Sequence, residues 1–565
     1  MQTHDLRRLS RRARLGLLSA AGAIAAALVF SAGALAAAAP SPASAAPAAV
    51  TPQNLTVTTG TGQVEGRTTG AVDQWLGLPY ARPPAGALRW APPQPAQSWS
   101  GVRSALSYGG RCAQPASGNG PRIDNEDCLY LNVYAPSVIP AGKKLPVMFM
   151  IHGGGLTTGA GDQQDGSLLA QSEGIIVVSV NYRLGPLGFL DLPGLSSAVP
   201  DGNFGLADQE AALKWVHANI AGFGGDPSQV AIAGESAGGW SVCALLASPP
   251  ARGLFARAIM ESGSCDSQSG STAQTGSLAF ARTAGCPDPA TAAACLRGKS
   301  EATLLSASGS YQPLFTYGGP DLPTAPQKAV DSGNFAKVPV LMGTNHDEGR
   351  TFSQGYAGYT QAQYTQLVDS TFGALAPQVL AHYPWSAYPS PYTAAYAIGA
   401  ILTDSGTVGG IGGCAEQNLA ASLAKNTRTY FFQFDDEHAP GLNNSVPGYQ
   451  WGAGHAMELA YLWPSFTNGY SLAAEFTPAQ RALSRQMIAY WGAFTKAGSP
   501  DAAGQPAWPA YSPAAGGRPG LLSLRPGGQS RAITGATFGA QHQCSFWDPV
   551  LNGSGLPAAA ARIAG

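Results

Sequence analysis

The sequence predicts an α/β fold, a mostly parallel central sheet with helices on both faces. Three observations carry this reading. Short, continuously apolar runs alternate with segments of helical spacing. Two of the runs, Pro146 to His152 and Gly174 to Tyr182, lack polar alternation, as expected of strands buried on both faces. A third run leads through a glycine–serine turn directly into a helical segment, at Gly234-Glu235-Ser236-Ala237-Gly238.

In chain order, the first 46 residues stand apart from the fold. Arg7 to Arg14 is basic, Leu15 to Ala39 is apolar and small, and Ala43-Ser44-Ala45 offers a cleavage site. That three-part pattern is an export signal. Ser10-Arg11-Arg12 with Leu15 is a loose match to a twin-arginine signal. The apolar stretch is long enough to span a membrane, but it is mostly alanine and glycine and the cleavage site follows it. We therefore expect an export signal over 1–46, a single domain over 47–565, a secreted product and no membrane attachment after cleavage. The chain's formal charge is −1, and the signal carries a net +4, so cleavage takes it to −5. A mildly acidic protein has no electrostatic reason to bind nucleic acid or an anionic membrane. Eight cysteines after an export signal point to disulfides, and no CxxC pair or Cys/His cluster suggests zinc.

A polar lead-in from Pro47 gives way to a short strand region, with Leu55-Thr-Val and Gln63-Val-Glu. Strands follow at Pro146 to His152 and Gly174 to Tyr182, then a helix from Ala207 to Ile220 with Ala211, Leu213, Val216 and Ile220 on one face. Gln229 to Ala233 reads as a strand, Ala237 to Ala247 as a helix and Arg257 to Met260 as a strand, with later strands at Val338 to Met342 and Thr429 to Phe434. The tyrosine-rich stretch from Gly349 to Ala400 has two readings, helical cover over the site or a peripheral loop-rich subdomain.

The pattern G-x-S-x-G is common by chance. Here Val230-Ala-Ile-Ala precedes it and a helical segment follows, which is the strand–turn–helix setting of a nucleophilic serine. His152-Gly153-Gly154-Gly155 also follows an apolar strand, and glycines let backbone N–H groups approach a developing oxyanion. A serine hydroxyl needs a base. On such a turn the acid and then the histidine follow the serine in the chain. Of the eight histidines, His346 and His455 have informative settings. Gly452-Ala453-Gly454-His455 suits the base, and Asn345-His346-Asp347-Glu348-Gly349 suits the acid. Order alone leaves Asp347 and Glu348 both open.

These residues carry a resemblance. Leu76-Gly-Leu-Pro-Tyr-Ala-Arg-Pro-Pro, Glu126-Asp-Cys-Leu-Tyr-Leu-Asn132, Asn181-Tyr-Arg-Leu-Gly, Gly202-Asn-Phe-Gly-Leu-Ala-Asp-Gln and Asn219-Ile-Ala-Gly-Phe-Gly-Gly-Asp-Pro227 stand in order along the chain. The chain resembles the type-B carboxylesterases, the group that includes cholinesterases, from about Gln74 to Trp547. The resemblance implies the α/β-hydrolase fold and a serine carboxylesterase acting on a small-molecule ester, with no metal or organic cofactor. It implies Ser236 as nucleophile, Glu348 as acid, His455 as base before Glu458-Leu459, and the amides of Gly154, Gly155 and Ala237 as the oxyanion hole. Glu235 and Ser262 match auxiliary positions near the site. It also implies disulfides Cys112–Cys128, Cys286–Cys295 and Cys414–Cys544. Cys243 and Cys265 have no usual counterpart, so a fourth bridge and two buried thiols both stay open. The loop between Cys112 and Cys128 has no tryptophan, which argues against choline esters, and it is too short for a large lid. Some relatives have lost catalysis and act as adhesion modules, but the triad here is intact. Amide or lactone hydrolysis would use the same triad, and the sequence leaves the oligomeric state open.

Overall fold

Five consecutive apolar side chains, Val147 to Ile151, need two hydrophobic faces at once, because successive residues of a strand point in opposite directions. In the computed structural model Val147, Phe149 and Ile151 join one core, while Met148 and Met150 join another on the far side. The structure describes residues 50–52, 55–443, 445–466, 472–513, 518–553 and 555–556. The expected export signal lies outside them. Ala49–Gly565 clusters as one unit.

The sheet has 11 strands. In chain order they are β1 (Arg67–Thr69), β2 (Val72–Pro79), β3 (Tyr130–Pro136), β4 (Leu145–Ile151), β5 (Ile176–Val180), β6 (Gly225–Glu235), β7 (Arg257–Glu261), β8 (Val340–Asn345), β9 (Thr429–Phe434), β10 (Pro519–Leu524) and β11 (Arg531–Thr534). Their spatial order is β11-β10-β9-β8-β7-β6-β4-β5-β3-β2-β1. Every pairing from β5 across to β10 is parallel. The outer pairings of β5 with β3, β3 with β2, β2 with β1 and β10 with β11 are antiparallel. The mostly parallel sheet is as the sequence predicts. The antiparallel flanks were not foreseen.

Helices cover both faces. On one face lie α2 (Phe204–Asn219), α3 (Ala237–Ala247) and α5 (Gly413–Ala424), which place Leu213, Val216, Val242, Leu245, Leu419 and Leu423 in the first core. On the other lie α1 (Ser167–Glu173) and α6 (Pro478–Ala497), which contribute Leu169, Met487, Trp491 and Phe494. The start of α6 follows from its sequence. Thr477 accepts from the amide of Gln480 and the Gln480 side chain reaches back to Thr477, with proline at the first helical position. The 349–400 stretch is helical, including Gln361–Phe372, Ala376–His382 and α4 (Thr393–Ser405). Its buried tyrosines Tyr364 and Tyr383 pack with Trp547 in a small core of their own. Only its first turn, at Thr351 and Phe352, reaches the candidate site. Among the described residues, no helix is long and apolar enough to cross a membrane.

Several quoted motif residues hold loops rather than do chemistry. The Arg183 guanidinium pairs with Asp208 at 2.8 Å, both fully buried. Asn132 accepts from the amide of Gly77 (3.0 Å) and donates to Ser179 (3.1 Å), stitching β2, β3 and β5. Glu126 is buried against Arg89, with Nε donating to Oε2 at 2.8 Å.

All eight cysteines are paired, as Cys112–Cys128, Cys243–Cys265, Cys286–Cys295 and Cys414–Cys544. Cys414–Cys544 ties α5 to the helix α7 (Cys544–Asn552) across 130 positions, against 9 to 22 for the others. If cross-links act by restricting the unfolded chain, this bridge is worth about 4–5 kcal/mol and the short ones about 3. Removing Cys414 and Cys544 together should therefore depress the melting temperature more than removing Cys286 and Cys295. A free thiol at 414 or 544, found by peptide mapping without reductant, would remove the basis for this expectation.

Candidate active site

Parallel strands deliver their loops to one edge of the sheet, and the candidate residues gather there. Ser236 follows β6, the glycine loop follows β4, Ser262 follows β7 and Glu348 lies three residues beyond β8. Ser236 sits at φ 57°, ψ −124°, a strained conformation for a residue with a side chain. The neighbouring glycines are needed for closeness. A Cβ on Gly234 would lie 2.3 Å from the Gly238 carbonyl oxygen, and one on Gly238 would lie 2.2 Å from that of Ile151. The turn is further fixed by the Ser236 amide, which donates to the Glu261 carbonyl at 2.9 Å, and by α3, whose Trp240 amide donates to the Ser236 carbonyl at 3.0 Å.

Gly154 and Gly155 both have positive φ, 98° and 62°. Gly154 backs onto Thr158 so closely that a Cβ would meet its carbonyl at 2.3 Å. Ala237 is the first residue of α3, where the helix leaves N–H groups without an acceptor. Beside the loop, His152 is buried, its Nδ1 bonded to the Gly153 carbonyl at 2.8 Å and its ring stacked on Tyr182. Burial pulls this histidine down to about 4, so it stays neutral.

His455 and Glu348 meet. Nδ1 of His455 lies 2.7 Å from Oε2 of Glu348, and both side chains are buried. The other carboxylate oxygen accepts from the Asn345 amide (2.7 Å), Ser262 Oγ (2.5 Å) and Thr344 Oγ1 (3.1 Å). Thr351 donates to the His455 carbonyl at 3.0 Å, and the Phe352 ring lies against the imidazole. Asp347, the alternative that spacing left open, points elsewhere. It accepts from the Ala453 amide at 3.0 Å and pairs with Arg350 at 3.1 Å. His346 stands beside Asp347 and His542, away from this group.

Nε2 of His455 faces Oε1 of Glu235 at 3.2 Å, and among the described residues the Ser236 hydroxyl has no hydrogen-bonded partner. Ser236, His455, Glu235, Gly154 and Gly155 line one cavity of about 320 Å³. Burial raises the Glu235 carboxyl, opposed by the nearby His455 and reinforced by Glu348. Burial alone would pull His455 down, but Glu235 and Glu348 outweigh it and leave the imidazole above its ordinary value. Glu458 and Glu416 are also fully buried nearby, each held well above the ordinary carboxyl range by burial. Glu261 is pushed up to about 8 by burial while accepting from Trp491 at 3.0 Å.

Sequence reasoning missed most of the cavity wall. Asn119, Gln163, Gln164, Trp240, Val408 and Ile411 line it. It also gave no role to His542, which is buried and bonded to Asp404 (2.9 Å) and Gln433 (3.0 Å). These positions come from five separate loops and helices, so no local pattern marks them.

A mostly parallel sheet carrying a serine on a strained strand–helix turn, a glycine loop beside it and a buried histidine–carboxylate pair defines an α/β-hydrolase. Residues 53–547 match the Carboxylesterase family. Para-nitrobenzyl esterase of Bacillus subtilis (strain 168) is 35% identical over 474 residues, covering 80% of this chain and 92% of that protein. Cocaine esterase of Homo sapiens is 34% identical over 495 residues, covering 80% and 85% respectively. A solved thermophilic PNB esterase superposes with a TM-score of 0.70 at 33% identity, over 85% of this chain and 97% of that one. The chain belongs to the carboxylesterase family. It is a carboxylic ester hydrolase.

Proposed function

We propose that the protein hydrolyses small-molecule carboxylic esters through an acyl-enzyme on Ser236 and that it does so outside the cell. The observation that carries the mechanism is the 2.7 Å contact between His455 Nδ1 and Glu348, which fixes the imidazole with Nε2 toward the cavity. Nε2 removes the Ser236 proton as the oxygen attacks the ester carbonyl, giving a tetrahedral oxyanion held by the amides of Gly154, Gly155 and Ala237. Each such donor lowers the barrier by on the order of 3 kcal/mol. His455 then hands the proton to the departing alkoxide, and water repeats both steps to release the acid and restore Ser236. Glu348 orients the ring and stabilises its charged form. In the resting arrangement Nε2 faces Glu235, so a small rotation of the imidazole or of the Ser236 hydroxyl precedes attack. Loose catalytic hydrogen bonds of this kind are common before substrate binds. The scheme uses only this chain's own groups.

A panel of esters of varied acyl and alcohol parts, run beside amides and lactones, tests the bond preference. Trapping an acyl group on Ser236 by mass spectrometry tests the covalent step. Turnover of amides or lactones in preference to every ester would overturn the reading. For location, the support is the three-part signal pattern together with four disulfides. Protein collected from the culture medium should begin near Pro47, and an intact leader on cell-bound protein would contradict export.

The base must be neutral to act, so kcat/KM should fall as pH drops through the His455 pKa. That pKa lies above the ordinary value of about 6.5. Glu235→Gln removes one carboxylate that favours the imidazolium, so the acid limb should move to lower pH. A pH–rate profile that is unmoved, or moved to higher pH, would show that Glu235 does not set the base.

A further inference from the structure

The cavity has two unlike walls. One is polar and uncharged. Asn119 donates to Thr158 at 2.9 Å, Gln163 donates to Asn119 at 3.1 Å, and Gln164 lies beside them. The other is apolar and is built from Trp240, Val408 and Ile411; Phe352, which lies against the imidazole, and Leu442, Leu459 and Phe466 complete the lining.

Trp240 stands one helical turn after Ser236 and is held from behind. Gly409 packs directly against its indole, where a Cβ would come within 2.3 Å of Cζ2. The Gly409 carbonyl accepts from Ser264 Oγ at 2.5 Å, and Ser264 adjoins Cys265, whose disulfide runs back to Cys243 on α3 itself. Helix, loop and ring are thus tied together, and the ring, 9% exposed, cannot withdraw from the cavity without displacing backbone.

The two walls take different ends of an ester. His455 gives its proton from Nε2, so the alcohol oxygen must leave beside that atom. Nε2 lies 3.2 Å from Glu235, and Glu235 packs so tightly on Gly153 that a Cβ there would be 2.6 Å from Oε2. The same glycine loop backs onto Thr158, which holds Asn119. The alcohol part therefore runs along the polar wall, and the acyl part is left with Trp240, Val408 and Ile411.

We propose that Trp240, clamped by Gly409, is the specificity-determining residue of this esterase: it ends the acyl arm of the cavity and restricts the enzyme to short acyl groups. The proposal rests on Ser236 being the nucleophile. The cavity volume supports it, since about 320 Å³ shared by both arms is at the small end of the usual range of about 300–1,000 Å³. The expected size of the effect follows from apolar pockets, where one methylene changes kcat/KM by roughly 10- to 200-fold.

The test is kcat/KM for p-nitrophenyl acetate, butyrate, hexanoate and octanoate, which share one leaving group, on wild type, Trp240→Ala and Trp240→Phe. Wild type should favour the short esters. Trp240→Ala should raise the octanoate-to-acetate ratio by about tenfold or more, with Trp240→Phe between the two. A second series, acetate esters of lengthening alcohols, should keep its wild-type ratios within about twofold in the same variants, well below the per-methylene effect expected on the acyl side. An unchanged octanoate-to-acetate ratio, or a change confined to the alcohol series, overturns the proposal; if the alanine variant does not fold, the phenylalanine variant decides. Each preparation is also labelled with an organophosphate and mapped. A label on Ser236 with an unmoved acyl profile refutes the role of Trp240 alone, whereas a label elsewhere refutes the nucleophile on which it rests.

Discussion

Ser236→Ala should lower kcat by about a million-fold and abolish labelling by an organophosphate, while the fold stays intact. In the proposed mechanism the acyl-enzyme forms on this hydroxyl, and the surrounding geometry holds the turn without it. The Ser236 amide donates to Glu261, its carbonyl accepts from Trp240, and Gly234 and Gly238 are packed backbone to backbone. None of these contacts involves Oγ, so alanine fits the same strained angles. Unchanged circular dichroism and melting temperature with activity at the background rate is the expected result. More than a trace of remaining turnover, with the label on another residue, would place the nucleophile elsewhere.

Glu348→Gln should cost on the order of ten-thousand-fold in kcat, the scale seen when a triad acid is made neutral. The amide would keep the bulk but present a donor or an uncharged acceptor to Nδ1, favouring the wrong tautomer and losing the charge that stabilises the imidazolium. The three donors that converge on the other oxygen, from Asn345, Ser262 and Thr344, are arranged for an anion. Asp347→Asn should cost far less, because Asp347 serves the Ala453 amide and Arg350 and never touches the imidazole. Equal losses in the two variants, measured on the same ester, would sink the assignment.

Those adjacent acids show where sequence reading stops. The chain places both just past a strand, and both can ionise. Which one meets His455 depends on the direction each takes on the turn, and direction is a property of the folded backbone. The central strands were legible for the opposite reason. Val147 to Ile151 and Ile176 to Val180 are buried on both faces, so their composition alone marks them, and Thr429–Phe434 was read to the residue. Strands β2 and β3 escaped because Asp73, Gln74 and Asn132 interrupt the apolar pattern. Their polar groups are satisfied across the sheet, Asp73 by Thr68 and Asn132 by Gly77 and Ser179. Trp240 was hidden differently. On a helix buried on all sides, an aromatic residue reads as core, and only the folded cavity, which Trp240 lines, sets it apart.

The way the sheet ends bears on how the protein behaves at high concentration. An 11-stranded sheet that stopped at a long flat strand would offer a row of free N–H and C=O groups to another molecule. This one stops instead in β1, three exposed residues beginning with Arg67, and in β11, four residues beginning with the exposed Arg531. A ladder of three or four rungs, with a cation at one end, is too short to register a second sheet against it. Strand-to-strand stacking is thereby disfavoured at both margins, and the long inner strands that would template it are sealed between neighbours.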